Sequence, residues 1–304
     1  MSDETYTLYA TLLMQAFAGL SLFSVLLLMA LGLAIIFGQM GVINMAHGEF
    51  MTIGAYTTYL ISTFAEAHGF LGESFFLSLI AAFIVAFAAG LLLEVVLIRR
   101  LYKRRLDTLL ATWGVSLVMQ QMFRQVFGAR EVSPPLPEWL TGSYQPAPGI
   151  DLPVSGLVIF ALMVIVTFGV WLLMYRSRWG IRVRATTQNR TIAGAVGINT
   201  KRVDRLTFAL GCGLAGIAGA AFTTMASTSP TTGGLYIVDT FLVVVFGGAA
   251  SLFGTIASAF TIAQAQSVLE FLMTGSMAKV LTLVSVVLIL MVRPEGLFSL
   301  KVRK

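Results

Sequence analysis

Six polar side chains stand out in an otherwise apolar chain. Gln39, Asn44, His47 and Glu49 fall in or beside GQMGVINMAHGEF (38–50), and Asp239 and Ser251 fall in TTGGLYIVDTFLVVVFGGAASLFGT (231–255). Amides and hydroxyls both donate and accept hydrogen bonds, so groups of this kind suit the passage of a small neutral or zwitterionic solute. His47 and Glu49, with one intervening residue, are too few ligands to indicate a metal, and a structural hydrogen bond is the preferred role for them. No G-x-x-x-x-G-K-[ST], H-E-x-x-H or G-x-S-x-G occurs, so the chain carries no P-loop or hydrolase signature. It is not read as an enzyme, and no metal or cofactor is expected.

The segments around these residues must hold them inside a membrane. Of 304 residues, 57% are hydrophobic and 11% charged, against about 25% charged in a soluble domain. Leu12–Ile36, Phe75–Ile98 and Pro153–Met174 are apolar over roughly the 20 residues a bilayer crossing needs. Their apolar residues do not alternate with polar ones as in an outer-membrane barrel. The fold class is therefore all-α, a polytopic transmembrane bundle. Spans are expected near 10–37, 50–66, 75–98, 109–127, 153–175, 206–227, 235–250, 253–272 and 278–292, giving eight or nine crossings. Two of the last four are short.

Both polar patches contain glycines that weaken a helix. Gly38, Gly41 and Gly48 flank Asn44; Gly233-Gly234 and Gly247-Gly248 bracket Asp239. Backbone groups freed in a bilayer must be satisfied by protein or by water in a cavity. Paired Gly-interrupted segments in the two halves of a chain point to a transporter's central pathway. Broken helices near the centre are expected, with 38–50 facing a pathway rather than forming a surface loop. GCGLAGIAGAA (211–221) is read differently: Gly211, Ala215 and Gly219, four apart, suit close helix packing. Cys212, the single cysteine, is read as a packing residue.

Basic residues set the orientation. None precedes Arg99; five lie in IRRLYKRRLD (98–107), eight in 176–205 and four from Arg293 onward. The positive-inside rule places these segments, including the C-terminus, in the cytoplasm, and the proline-rich loop 128–152 outside. The clusters are short and flank spans, so nucleic acid is not a partner. The acidic leader MSDETYTLY lacks the basic n-region of a signal peptide. Within 176–205, Thr186 or Thr187 is expected to cap a short helix bearing Ile192, Ala193, Ala195 and Val196. Gly197 takes its left-handed end, and Asn199 or Thr200 caps the next helix. Such a helix lies on the membrane face with or without a cytosolic partner.

Four stretches together resemble one family. FGQMGVINMAHGEFMTIGAY (37–56), RATTQNRTIAGAVGIN (184–199), VVVFGGAASLFGT (243–255) and RPEGLF (293–298) are similar to those of permeases of branched-chain amino acid type ABC importers. GQMGVINMAHGEF and ATWGVSLVMQQMFRQVFG (111–128) look closest to the urea-transporting branch. The resemblance implies a single permease domain over 1–304 in a bacterial inner membrane. It implies pairing with a second homologous permease, two cytoplasmic ATP-binding subunits and a periplasmic solute-binding protein. Segment 184–199 would couple to the ATPases through Thr187, Asn189, Ala193, Gly194 and Gly197. Urea is the expected solute, with branched-chain amino acids or short amides as the alternative. A passive urea channel and an ion-coupled transporter, which would use an intramembrane acid such as Glu94, Asp239 or Glu270, are the rival classes.

Overall fold

The structure, a computed structural model, describes residues 3–102, 104–248, 251–293 and 296. Its organising element is α1 (Asp3–Met40), apolar on every side, as a helix enclosed by others must be. Val25 to Leu31 and Leu33 are almost wholly buried. Around it pack α6 (Val154–Trp171), α9 (Thr200–Phe222), α10 (Thr232–Gly247) and α11 (Leu252–Leu272). A second layer joins α9 to α2 (His47–Ala67) and α3 (Leu71–Leu93). The last long helix, α12 (Gly275–Val292), leans on α11 and α10.

Long helices stand at all nine expected positions among the described residues, and six are long and apolar enough to cross a membrane. The others are α2 and α4 (Arg105–Phe127), which fall short by composition, and α10, which falls short by length. The chain is a helical membrane bundle.

The small-residue stripe of α9 serves packing, as expected. A Cβ on Gly211 would lie 2.6 Å from the Gly32 carbonyl oxygen on α1, so both helices depend on missing side chains there. Cys212, one residue on, is buried on the side of α9 that meets Gly90 of α3. In contrast, α4 touches the bundle along one narrow line to α2 and exposes Trp113, Val118, Met122 and Val126.

Both basic segments gather at one end of the bundle. The α3 helix continues through a wide π turn (Glu94–Ile98) to Arg99–Leu101, beside α7 (Arg178–Gln188) and α8 (Arg190–Ala195). The proline-rich loop lies at the opposite end, where Tyr6 on α1 donates to the Pro148 carbonyl and Trp139 to that of Gly72. That loop is more structured than expected. It holds the short helix α5 (Glu138–Thr141) and a hairpin of β1 (Ser143–Ala147) and β2 (Ile150–Pro153), turned at Pro148 and Gly149, whose φ is 80°.

The helix starts in 176–205 need one correction. Thr186 and Thr187 do not cap a helix start; they lie in the last turn of α7, with their hydroxyls bonded back to the Arg182 and Val183 carbonyls. Ser177 caps α7 and Asn189 caps α8, accepting from the Gly180 and Ile192 amides. Both threonines lie inside α7, and the cap of α8 falls to Asn189, the residue directly before its first turn, because a capping oxygen must reach the amide two or three residues on. The other assignments hold: Gly197 ends α8 at φ 88°, and Asn199 caps α9 by accepting from Arg202 N–H. The RPEGLF motif, apart from Arg293 and Gly296, the C-terminal tail and Ala249-Ala250 lie outside the described residues.

Candidate functional site

The first polar patch is a helix break inside the bundle. After Met40 the chain turns at Gly41, with φ 62°, and returns along α1 without helical structure until His47. The His47 Nε2–H donates 3.2 Å to the Met29 carbonyl oxygen. The start of α2 is thus level with a point about eleven residues, roughly 16 Å, back from the end of α1. Asn44, His47 and Glu49 are all at most 1% exposed, which excludes a surface loop.

Side chains satisfy much of the backbone that this break frees. Asn44 Oδ1 accepts from Ala46 N–H at 3.1 Å, and Thr112 Oγ1 on α4 accepts from Met45 N–H at 3.1 Å. The Asn44 carbonyl accepts from His47 N–H, and that of Ala46 from Glu49 N–H. Asn44 Nδ2, His47 Nδ1 and Glu49 Oε2 are buried with no hydrogen-bond partner among the described residues. The other carboxylate oxygen, Glu49 Oε1, accepts from Ser116 Oγ–H at 2.9 Å and Gln120 Nε2–H at 2.8 Å.

A second helix begins at this depth. The start of α10 lies directly against that of α2: a Cβ on Gly48 would fall on the Gly233 carbonyl oxygen, and one on Gly233 on that of Gly48. Thr52 Oγ1 on α2 accepts from Gly233 N–H at 3.0 Å, so one broken helix caps the other. From there α10 runs toward the basic end, where Phe241 meets the Phe37 ring. Its 16 residues extend about 24 Å, short of a full crossing. Two helix starts, each with amide donors and partial positive charge, therefore meet within the bundle beside Glu49.

The six pathway candidates form three groups. Asn44, His47 and Glu49 make up the central one. Gln39 and Ser251 line a cavity of about 310 Å³ at the basic end, together with Gly38, Arg184, Thr187 and Gln188. There Ser251 caps α11 by accepting from Gly254 N–H. Asp239 faces elsewhere, 2.8 Å from Lys279 Nζ on α12, with that ammonium 5.1 Å above the Tyr236 ring.

Residues 184–199 are tied into the bundle. Arg190 pairs with Asp204 and lies 5.2 Å over the Tyr102 ring, while Tyr102 Oη–H donates to Glu94 Oε1 at 3.2 Å. Burial, with Asp204 and Glu94 close by, holds the Tyr102 phenol above its ordinary range, so it stays a donor. Thr187 Oγ1–H donates to Gln39 Oε1 at 2.6 Å. Of the small residues expected to face a partner, Ala193 is instead buried at 3% exposure against its own chain, because α8 turns that side inward. Gly194 faces open space, as does Gly197, and the exposed apolar groups beside them are Ile192 and Val196.

Sequence reasoning missed Thr112, Ser116 and Gln120, although a signal was present. They recur every four residues along ATWGVSLVMQQ, one polar stripe on an apolar helix, and that stripe is the side of α4 that meets the helix break.

The profile of the family described as branched-chain amino acid transport system / permease component matches residues 15–292. The chain belongs to this family. Among its relatives is the high-affinity branched-chain amino acid transport system permease protein LivH of Salmonella typhimurium. It is 29% identical over 299 residues, covering 94% of this chain and 95% of the relative. BraD of Pseudomonas aeruginosa, a permease protein of the same description, is 28% identical with the same coverage. A probable branched-chain amino acid transport permease protein LivH from Methanocaldococcus jannaschii is 26% identical, covering 92% and 90%. No solved structure matches. The narrower expectation of a urea-transporting branch finds no support here: all three relatives are named for branched-chain amino acids.

Proposed function

We propose that this permease is the membrane subunit of an ATP-driven importer of branched-chain amino acids. The observation that carries the reading is the family match over residues 15–292, joined to a polar helix break buried inside the bundle. In this reading residues 1–304 form one permease domain in a bacterial inner membrane, with the basic loops and the C-terminus in the cytoplasm. The solute passes the break at Asn44, His47 and Glu49 and leaves by the cavity at Gln39 and Ser251. A second homologous permease, two ATP-binding subunits and a periplasmic solute-binding protein complete the machine. ATP hydrolysis belongs to the separate subunits, and segment 184–199 couples to them through Thr187, Asn189, Gly194 and Gly197.

The second reading is urea, carried by the GQMGVINMAHGEF and ATWGVSLVMQQMFRQVFG motifs. Uptake of leucine and of urea into proteoliposomes holding the assembled complex separates the two. Leucine uptake dependent on ATP and on the binding protein is expected. Urea uptake without leucine uptake would replace the reading by the second one. Uptake with no ATPase subunit present would replace it by a channel or an ion-coupled carrier.

A further inference from the structure

Glu49 carries more than the helix break requires. Its side chain is wholly buried, yet only Oε1 is hydrogen-bonded. A carboxylate removed from water is costly unless paired, and an acid at this depth is expected to have a named partner. No basic side chain fills that role: among the described residues the ion pairs are Arg104–Asp107, Arg190–Asp204 and Lys279–Asp239. Ser116 and Gln120 both bind the same oxygen, which fixes the orientation of the carboxylate and leaves the buried Oε2 without a donor.

The surroundings are complementary to a zwitterion. At the start of α10, Thr232 N–H donates to the Ser229 carbonyl, Gly233 N–H to Thr52 and Leu235 N–H to the Thr231 carbonyl. Gly234 N–H has no such acceptor among them. A Cβ on Gly234 would lie 3.0 Å from Gln120 Nε2 and 3.9 Å from Glu49 Oε1, so the Gly234 backbone stands beside the acid and the side chain that orients it. An open amide at a helix start favours an anion; a carboxylate oxygen without a partner favours an ammonium. An α-amino acid presents both from a single carbon, and urea presents neither. The wall on this side is α4, which carries Ser116 and Gln120.

We propose that Glu49, oriented by Ser116 and Gln120, is the anchor for the α-ammonium group of the transported amino acid, whose carboxylate turns to Gly234 N–H. The proposal rests on the amino-acid reading above. Side-chain selection among amino acids is left to groups farther from Glu49.

The test uses the complete complex in proteoliposomes, with saturating leucine-loaded binding protein. Glu49→Gln keeps an oxygen to accept from Ser116 and Gln120 but removes the charge. It should lower leucine uptake at least about tenfold, the scale of one charge-assisted hydrogen bond, while the permease still assembles with its partner subunits. Glu49→Asp should recover part of the uptake, which a purely packing role would not allow. Leucine uptake at the wild-type rate in Glu49→Gln overturns the anchor alone. If Glu49→Gln fails to assemble, the Ser116→Ala and Gln120→Leu pair, which leaves the charge but no longer orients it, should lower uptake several-fold; an unchanged rate there overturns it equally. Wild-type complex that moves urea and no amino acid overturns the functional reading, and the anchor with it.

Discussion

Thr187, in the last turn of α7, donates a 2.6 Å hydrogen bond to the side chain of Gln39, two residues before the chain turns at Gly41. One contact thus joins the segment proposed to meet the ATPases to the end of the helix that leads into the buried break. Thr187 also bonds back to Val183, so its hydroxyl links two helices without leaving its own. We expect Thr187→Val, nearly isosteric, to leave the fold intact and weaken solute stimulation of ATP hydrolysis several-fold. Gln39→Leu should do the same. The double variant should be no worse than either single one, because both remove the same link; additive losses would show that the two residues act separately.

Gly48 and Gly233 are expected to tolerate no side chain. A Cβ at either would land on the carbonyl of the other, which is backbone and cannot rotate away. Gly233→Ala should cost roughly 1–3 kcal/mol, the range for overpacking, and lower the melting temperature of the purified permease. Gly114→Ala is the control, because nothing lies within 4 Å of a Cβ there. Equal melting temperatures for the two would refute the contact.

Asn44→Leu should separate the break from the bundle. The amide oxygen that accepts from Ala46 N–H is lost at nearly constant volume, leaving a buried donor unpaired at a cost of about 1–3 kcal/mol. Uptake should fall sharply while binding of the ATPase subunits and basal hydrolysis persist. Wild-type uptake would mean that the turn at 41–46 has no part in the pathway.

Gly194→Trp tests the docking face. Nothing lies within 4 Å of a Cβ at Gly194, so the bulky ring meets no neighbour in the permease itself and the chain should insert normally. Solute-stimulated ATP hydrolysis should be abolished, because Ile192 and Val196 could no longer approach a partner's cleft. Ala193→Trp should differ, with lower permease yield, since Ala193 is buried against its own chain.

Orientation is checked with an impermeant thiol reagent on intact cells, after Cys212→Ser. A cysteine at Ser143 should label and one at Thr200 should not. The two positions lie at opposite ends of the bundle, so the reverse pattern would invert the assigned topology.

The sequence by itself determined the class and much of the outline. Nine apolar segments predict nine helix positions because a bilayer forces each crossing to satisfy its backbone internally. Basic loops identify one end, and Gly197 and Asn199 identify their turn and cap because those roles depend on local backbone chemistry alone. Glycines mark where helices break. What only the tertiary structure decided is where those breaks meet. That Gly48 touches Gly233, and that Ser116 and Gln120 reach Glu49, depends on how three helices cross, and contacts between residues far apart in the chain leave no local spacing to read. The same holds for Asp239, which pairs with Lys279 on another helix instead of joining Asn44, and for Ala193, turned inward by the way α8 is tied to Asp204 and Tyr102. Local rules set each helix, whereas the site arises from packing between helices, which composition and periodicity do not encode residue by residue.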